Sequence, residues 1–175
     1  MTKEVVPLKA AFADDGLIIR SSGEVIDGVA VRRARVICDE RGRLGEIMRA
    51  DDPWFEKFGQ AYFTTTYPGV VKAWHYHTRQ TDHFYILRGT VKVGLYDERK
   101  DSPTSGTVNE IYLSEHSPGL LRIPPGVLHG WMCVGQTEAY VVNTVSEMYN
   151  YDDPDEFRVD PHDTNIPYDW TRKDG

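Results

Sequence analysis

Cysteine is nearly absent: the 175 residues hold two, Cys38 and Cys133. They are too few and too far apart for a framework of bridges or for the paired-thiol spacing of a zinc or redox site. Both read as buried thiols. Long apolar runs are missing too, because charge interrupts every hydrophobic stretch well before the roughly 18 residues a membrane helix needs. No membrane partner is expected. The start Met1-Thr2-Lys3-Glu4 shows no signal-peptide pattern, so the expected address is cytoplasmic. Positive charge is in deficit, with 20 Lys and Arg against 27 Asp and Glu and a net charge of −7. That balance speaks against a dedicated nucleic-acid binder, whose phosphate contacts need a basic face. Repeats and low-complexity tracts are absent, and helical periodicity is scarce.

What is present fits one globular domain over residues 1–175, since 40% hydrophobic residues suffice to offset chain entropy in a core of this size. Short runs rich in Val, Ile, Tyr, Phe and Thr recur between turn residues. They fall at Leu17–Arg20, Val29–Ile37, Leu44–Met48, Ala61–Tyr67, Val70–His77, Phe84–Leu87, Val91–Tyr96, Val108–Leu113, Leu120–Ile123 and Ala139–Thr144. This rhythm predicts an all-β sandwich or barrel. Alternation is clearest where Val91, Val93 and Leu95 interleave with Lys92, Gly94 and Tyr96, which predicts one buried and one wet face. One short helix is expected over Asp51–Phe58, with an acidic cap, Pro53 in the first turn and Gly59 after it. Ser102–Gly106 and Pro124-Pro125-Gly126 are breakers between strands. Residues 151–175 carry eight acids against three bases with three prolines, and read as an extended tail strapped over the surface. In contrast, residues 31–49 hold six arginines, which suit either a small anionic ligand or a solvated strand face.

The histidines carry the chemical signal. His75 and His77, two apart on a predicted strand, point to one face; a turn then brings Asp82 back beside them, and His129 follows the Pro124-Pro125-Gly126 turn. This pattern resembles the cupin signature, with Asp82 standing where cupins usually carry glutamate. The resemblance implies a small antiparallel β-barrel of the jelly-roll type with these side chains turned inward.

A narrower resemblance covers residues 28–170. Asp39-Glu40-Arg41-Gly42 with Glu46, Phe58-Gly59-Gln60, Trp74-His75-Tyr76, Gln80, Gly89, Asp101–Thr104, Ile123–Gly126, His129-Gly130-Trp131 and the Asp152–Trp170 tail are similar, in order, to the dTDP-4-dehydrorhamnose 3,5-epimerase family. That resemblance implies a homodimer acting without a cofactor on a nucleotide-diphosphate 4-keto-6-deoxy sugar, in the synthesis of deoxysugars for polysaccharide. It places His75 as the base, and Arg41, Glu46, Gln60, Lys72 and His129 as substrate contacts. Lys72 stands where the family has arginine. Asp82 falls at the family's enolate-stabilising lysine, so it is the second catalytic candidate, and Val142 falls at its acid tyrosine. A carboxylate cannot stabilise a developing oxyanion as lysine does. Tyr140, Tyr149 and Tyr151 are the alternatives considered for the lost tyrosine.

The same departures favour a metal-binding alternative: His75, His77, Asp82 and His129 form a three-nitrogen, one-oxygen set suited to Zn, Fe, Mn or Ni. In that reading the protein is a metal-dependent isomerase or dioxygenase. A non-catalytic sugar-nucleotide binding protein is the third reading. Packing of His75 and His129, or pairing of Asp82 with Arg79 or Lys72, are the plain structural explanations. His83 is expected to pack away from Asp82, and His116 and His162 to be exposed. The dimer is also supported by the segment Leu17–Val36, which could lend a strand to a neighbour.

Overall fold

The computed structural model describes residues 6–14, 17–163 and 165–173. Its strands, numbered in chain order, form two facing antiparallel sheets and a separate hairpin. The larger sheet runs β1 (Lys9–Asp14), β2 (Leu17–Ser21), β10 (Val108–Ser114), β9 (Thr90–Asp97), β12 (Val127–Cys133), β7 (Val71–Tyr76), β14 (Phe157–Arg158). The smaller runs β3 (Ala30–Arg33), β11 (Gly119–Ile123), β8 (Asp82–Arg88), β13 (Ala139–Val145), β6 (Gln60–Thr66). The hairpin is β4 (Val36–Asp39) with β5 (Gly42–Gly45). The order is that of a jelly roll, but the two sheets remain distinct and do not close into one continuous barrel.

Period-two patterning makes this fold. Inward residues of the two sheets, among them Ile19, Val31, Phe84, Ile86, Val93, Leu95, Ile111, Leu121 and Val141, meet in one apolar core. Each such side chain contributes about 1.5–3 kcal/mol of transfer free energy when fully buried. Gly89, at φ 81°, supplies the left-handed residue of the tight β8–β9 turn.

Several expectations from sequence are corrected. The segment at Asp51–Phe58 is a pair of turns, and no helix occurs among the described residues. Asp52 spends its carboxylate on the Arg49 amide and on Arg32, and the amides of Asp52 and Phe55 reach back only three residues. The alternate face of β9 is not wet. Lys92, at 2% exposure, and Tyr96 are buried because the C-terminal tail covers that face. Ile166 and Trp170 join Trp74, Tyr96 and Leu128 in a second core, and Trp170, Tyr168 and Trp74 close over Gly94. The tail is therefore a structural layer. The Lys92 ammonium fastens it, donating to the carbonyls of Trp170 (2.9 Å) and Thr171 (3.1 Å).

β2 pairs with β10 and β1, and β3 with β11, so these strands are engaged within their own chain. The arginine-rich stretch is largely neutralised locally: Arg32 pairs with Asp52, Arg41 with Asp39, Arg43 with Glu115 and Arg49 with Glu46 and Asp51. Cys133 is buried, but Cys38 is exposed on the hairpin.

Candidate active site

At one end of the sandwich the two sheets open into a cavity of about 970 Å³. β7 and β12 bring His75 and His129 directly opposite one another, and a bulge follows, after which Trp131 faces Lys72. Two β7 residues, Ala73 and Trp74, thus oppose Gly130, where any Cβ would collide with Ala73. A bulge re-aims side chains. Here it lets Lys72 and His75, three apart, both border the cavity, while Trp74 turns outward into the second core.

The four residues singled out by spacing converge. One ligand atom from each of His75, His77, Asp82 and His129 lies within 4.8 Å of the others. Asp82, at 1% exposure, is the hub. Its Oδ1 accepts from Gln80 Nε2 (2.7 Å) and Asn143 Nδ2 (2.9 Å). Its Oδ2 lies 3.0 Å from His129 Nε2 and 3.3 Å from His77 Nε2. It pairs with neither Arg79 nor Lys72. The other nitrogen of each ring meets a main-chain carbonyl, His129 Nδ1 on Val127 (2.9 Å) and His77 Nδ1 on Asp155. A neutral imidazole has one N–H for two oxygens, so its lone pair would face an acceptor. For His77 the arrangement therefore favours the charged ring against the carboxylate.

Electrostatics follow. Burial alone would raise the Asp82 pKa, but the imidazoles of His129 and His77 outweigh it and hold the carboxyl well below its usual range. Burial likewise disfavours charged His77, and its bond and attraction to Asp82 overcome that, leaving it raised. His75 behaves in the opposite way. Burial first, then the neighbouring His129 ring at 4.1 Å, push it well below 6.5. It makes no hydrogen bond among the described residues and borders the cavity. Burial and His129 both favour the neutral ring, whose lone pair is not engaged among the described residues.

The remaining candidates divide. Gln60 and Lys72 border the cavity. Gln60 accepts from the Tyr149 amide, and Lys72 Nζ donates to Thr64 Oγ1 and the Thr65 carbonyl. His77 borders it too, whereas Asp82 and His129 lie behind this first layer, both nearly inaccessible. Arg41 and Glu46, on and just after the exposed β4–β5 hairpin, do not reach the cavity within one chain. His83 is buried on the face of β8 away from Asp82 by strand alternation, with Nδ1 on the Thr144 carbonyl, and His116 and His162 are exposed.

Three contributors escaped the sequence reading. Asp155 holds the loop after β7, its carboxylate accepting from Thr78, Arg79 and Gln80 amides. Asn143 is a polar residue inside an apolar strand, and that oddity was the available signal. Tyr62 shares the face of Gln60 by alternation along β6.

Comparison with known proteins bears on this geometry. The sequence model of dTDP-4-dehydrorhamnose 3,5-epimerase matches residues 24–175. The chain is 41% identical over 146 residues to the spore coat polysaccharide biosynthesis protein SpsL of Bacillus subtilis, covering 83% of this chain and 97% of that one. It is 42% identical over 147 residues to the probable low-salt glycan biosynthesis epimerase Agl13 of Haloferax volcanii, covering 83% and 94%. The crystal structure of a dTDP sugar isomerase from Desulfovibrio desulfuricans superposes with a TM-score of 0.80 at 34% identity, over 85% of this chain and 94% of that chain.

Proposed function

The chain belongs to the dTDP-4-dehydrorhamnose 3,5-epimerase family, a family of sugar-nucleotide epimerases, and from that premise we propose that it epimerises a nucleotide-diphosphate 4-keto-6-deoxy sugar beside the ketone. A ketone at C4 acidifies the hydrogens on C3 and C5. A base can remove one, and return of hydrogen to the opposite face inverts the centre. One observation carries the assignment of His75 as base: it is an imidazole on the cavity wall with no hydrogen bond among the described residues, and burial favours its neutral form, the form that abstracts a proton. Asp82 is a positioning residue in this reading. Buried behind the wall, it orients His77 and His129. Lys72, Gln60 and the cavity-lining Arg79 and Arg158 offer contacts for the diphosphate and sugar, in keeping with guanidinium and ammonium recognition of phosphate. Epimerisation written this way consumes no cofactor.

Arg41 and Glu46, held away from their own cavity, fit a homodimer in which a second copy presents its hairpin. Sedimentation as a monomer would remove that part. The similarity to SpsL and Agl13 supports a place in polysaccharide or glycan synthesis, and a cytoplasmic address goes with this reading. No helix among the described residues is long and apolar enough to cross a membrane.

The deciding experiment is incubation in D₂O with dTDP-4-keto-6-deoxyglucose and its UDP and GDP counterparts. Deuterium should enter at C3 or C5, in parallel with formation of the inverted sugar. No exchange from any of them, with thermal stabilisation by ligand alone, would leave a binding protein.

A second reading has its own observation. His129 Nε2 is buried 3.0 Å from Asp82 Oδ2 yet lacks the alignment of a hydrogen bond, and carbonyl-anchored Nδ1 atoms are the usual outer support of metal-ligating histidines. His75, His77, Asp82 and His129 fit a divalent ion of the Zn, Fe, Mn or Ni type and would hold it. Such an ion supplies polarisation of a ketone oxygen. Protein purified without chelator would then carry close to one ion per chain, lost in His77→Ala. That result would remove His75 as the base, because its lone pair would be committed.

A further inference from the structure

Inversion by proton transfer needs two groups on opposite sides of one carbon, and His75 supplies only the first. It projects from β7 of the larger sheet. The facing wall is β6, the edge of the smaller sheet, where Gln60, Tyr62 and Thr64 border the cavity. Tyr62 sits directly opposite Asn143 in the β6–β13 ladder. Asn143 is buried, and its amide donates both to Tyr62 Oη (2.9 Å) and to Asp82 Oδ1 (2.9 Å). The phenol oxygen is therefore the acceptor in that contact. Its own hydrogen is left over, and no acceptor for it occurs among the described residues. Tyr62 borders the cavity, so that hydrogen is open to a ligand there.

The other tyrosines lack this arrangement. Tyr140 is on the outer face, stacked on Phe63. Tyr149 and Tyr151 border the cavity, but Tyr151 is 89% exposed, and neither side chain bonds a buried polar group among the described residues. Tyr62 is 41% exposed; its partial burial, followed by the negative charge of Asp82, pushes its pKa upward. At neutral pH it keeps its proton, as a donor must.

We propose that Tyr62 is the proton donor of the reaction, protonating the substrate on the face opposite His75 while the Asn143 amide and Asp82 hold its ring in place. The assignment rests on the epimerase reading above. In the step, the C–H bond beside the ketone breaks toward a His75 ring nitrogen, and its electron pair moves to the ketone oxygen. A new C–H bond then forms on the other face from the Tyr62 O–H. The phenolate recovers a proton from solvent, and His75 releases one to it, so the balance closes.

Tyr62→Phe separates the two halves of the reaction. His75 still removes hydrogen and returns it to the same face, so the variant should incorporate solvent deuterium within about threefold of the wild-type rate while inversion falls at least about a hundredfold, the usual scale of a lost general acid. Tyr140→Phe is the control and should behave as wild type. The assignment is overturned if Tyr62→Phe inverts the sugar within about tenfold of wild type. It is equally overturned if exchange and inversion vanish together in a variant with wild-type melting temperature. Should the phenylalanine variant unfold, Tyr62→His is read by the same two rates. A wild-type protein that exchanges hydrogen with none of the three nucleotide sugars would instead bring down the functional reading, and Tyr62 with it.

Discussion

Asp82→Asn tests whether the buried cluster is held by charge. In the wild type His77 and Asp82 are 8% and 1% exposed and their nearest atoms are 3.3 Å apart. At an effective dielectric near 20, two unit charges at that spacing attract by about 5 kcal/mol, before the cost of taking both out of water. Removing one member of a buried pair costs about 3–5 kcal/mol in general. Asparagine is gentler here: its oxygen can keep the bonds from Gln80 and Asn143, and its amide can donate to the His77 Nε2 lone pair once that ring is neutral. The expected loss is about 2–3 kcal/mol at pH 6. The sign with pH follows from linkage. His77 is raised on folding, so its contribution is complete below the unfolded value and fades as pH climbs through the folded one. Asp82 is depressed, so its contribution is complete above its unfolded value and fades on acidification. Between these limits the pair is intact, and the gap between wild type and Asp82→Asn should shrink by at least half from pH 6 to pH 9. Urea unfolding of chelator-treated protein at both pH values measures it. Equal differences at the two pH values, or no loss at pH 6, would refute a charge-held cluster.

Four further outcomes are expected. His75→Asn should abolish deuterium exchange without lowering the melting temperature. The acid limb of wild-type kcat/KM should lie below pH 6.5, because burial and His129 depress His75; a limb at or above 6.5 would exclude it as the base. Asp97 is fully buried, accepts from Arg99, Ser102 and Thr104, and is lowered to about 2 despite burial that would raise it. Its folded-state depression contributes about 2 kcal/mol above pH 4, lost as pH falls toward 2, so Asp97→Asn should show that deficit in urea at pH 7 and a smaller one at pH 3. Lys92→Met leaves the carbonyls of Trp170 and Thr171 without their donor, a cost of about 1–3 kcal/mol, and should speed proteolytic cleavage within the tail.

The strand rhythm was legible because alternation reports a half-buried face wherever a strand has one. It failed where both faces are covered. β12 was missed because Pro124-Pro125-Gly126 marked a break and the strand that follows, Val127–Cys133, is buried almost throughout, with no alternation to see. The wet face expected for β9 was the same error. Nothing within residues 90–97 announces that Trp170 and Tyr168 will cover them. The helix expected at Asp51–Phe58 satisfied every local signal, but Asp52 found a better partner in Arg32, twenty residues away.

The sequence by itself determined the class of fold and the cluster of His75, His77, Asp82 and His129. Both depend on short-range geometry: strand periodicity, a turn between His77 and Asp82, and a proline-glycine turn before His129. Tertiary structure alone decided what surrounds each of these side chains. Whether a ring is charged or neutral depends on what lies across from each nitrogen and how much water remains. Those partners, Asp155, Asn143 and Tyr62, come from strands and loops remote in the chain, where no local pattern could place them.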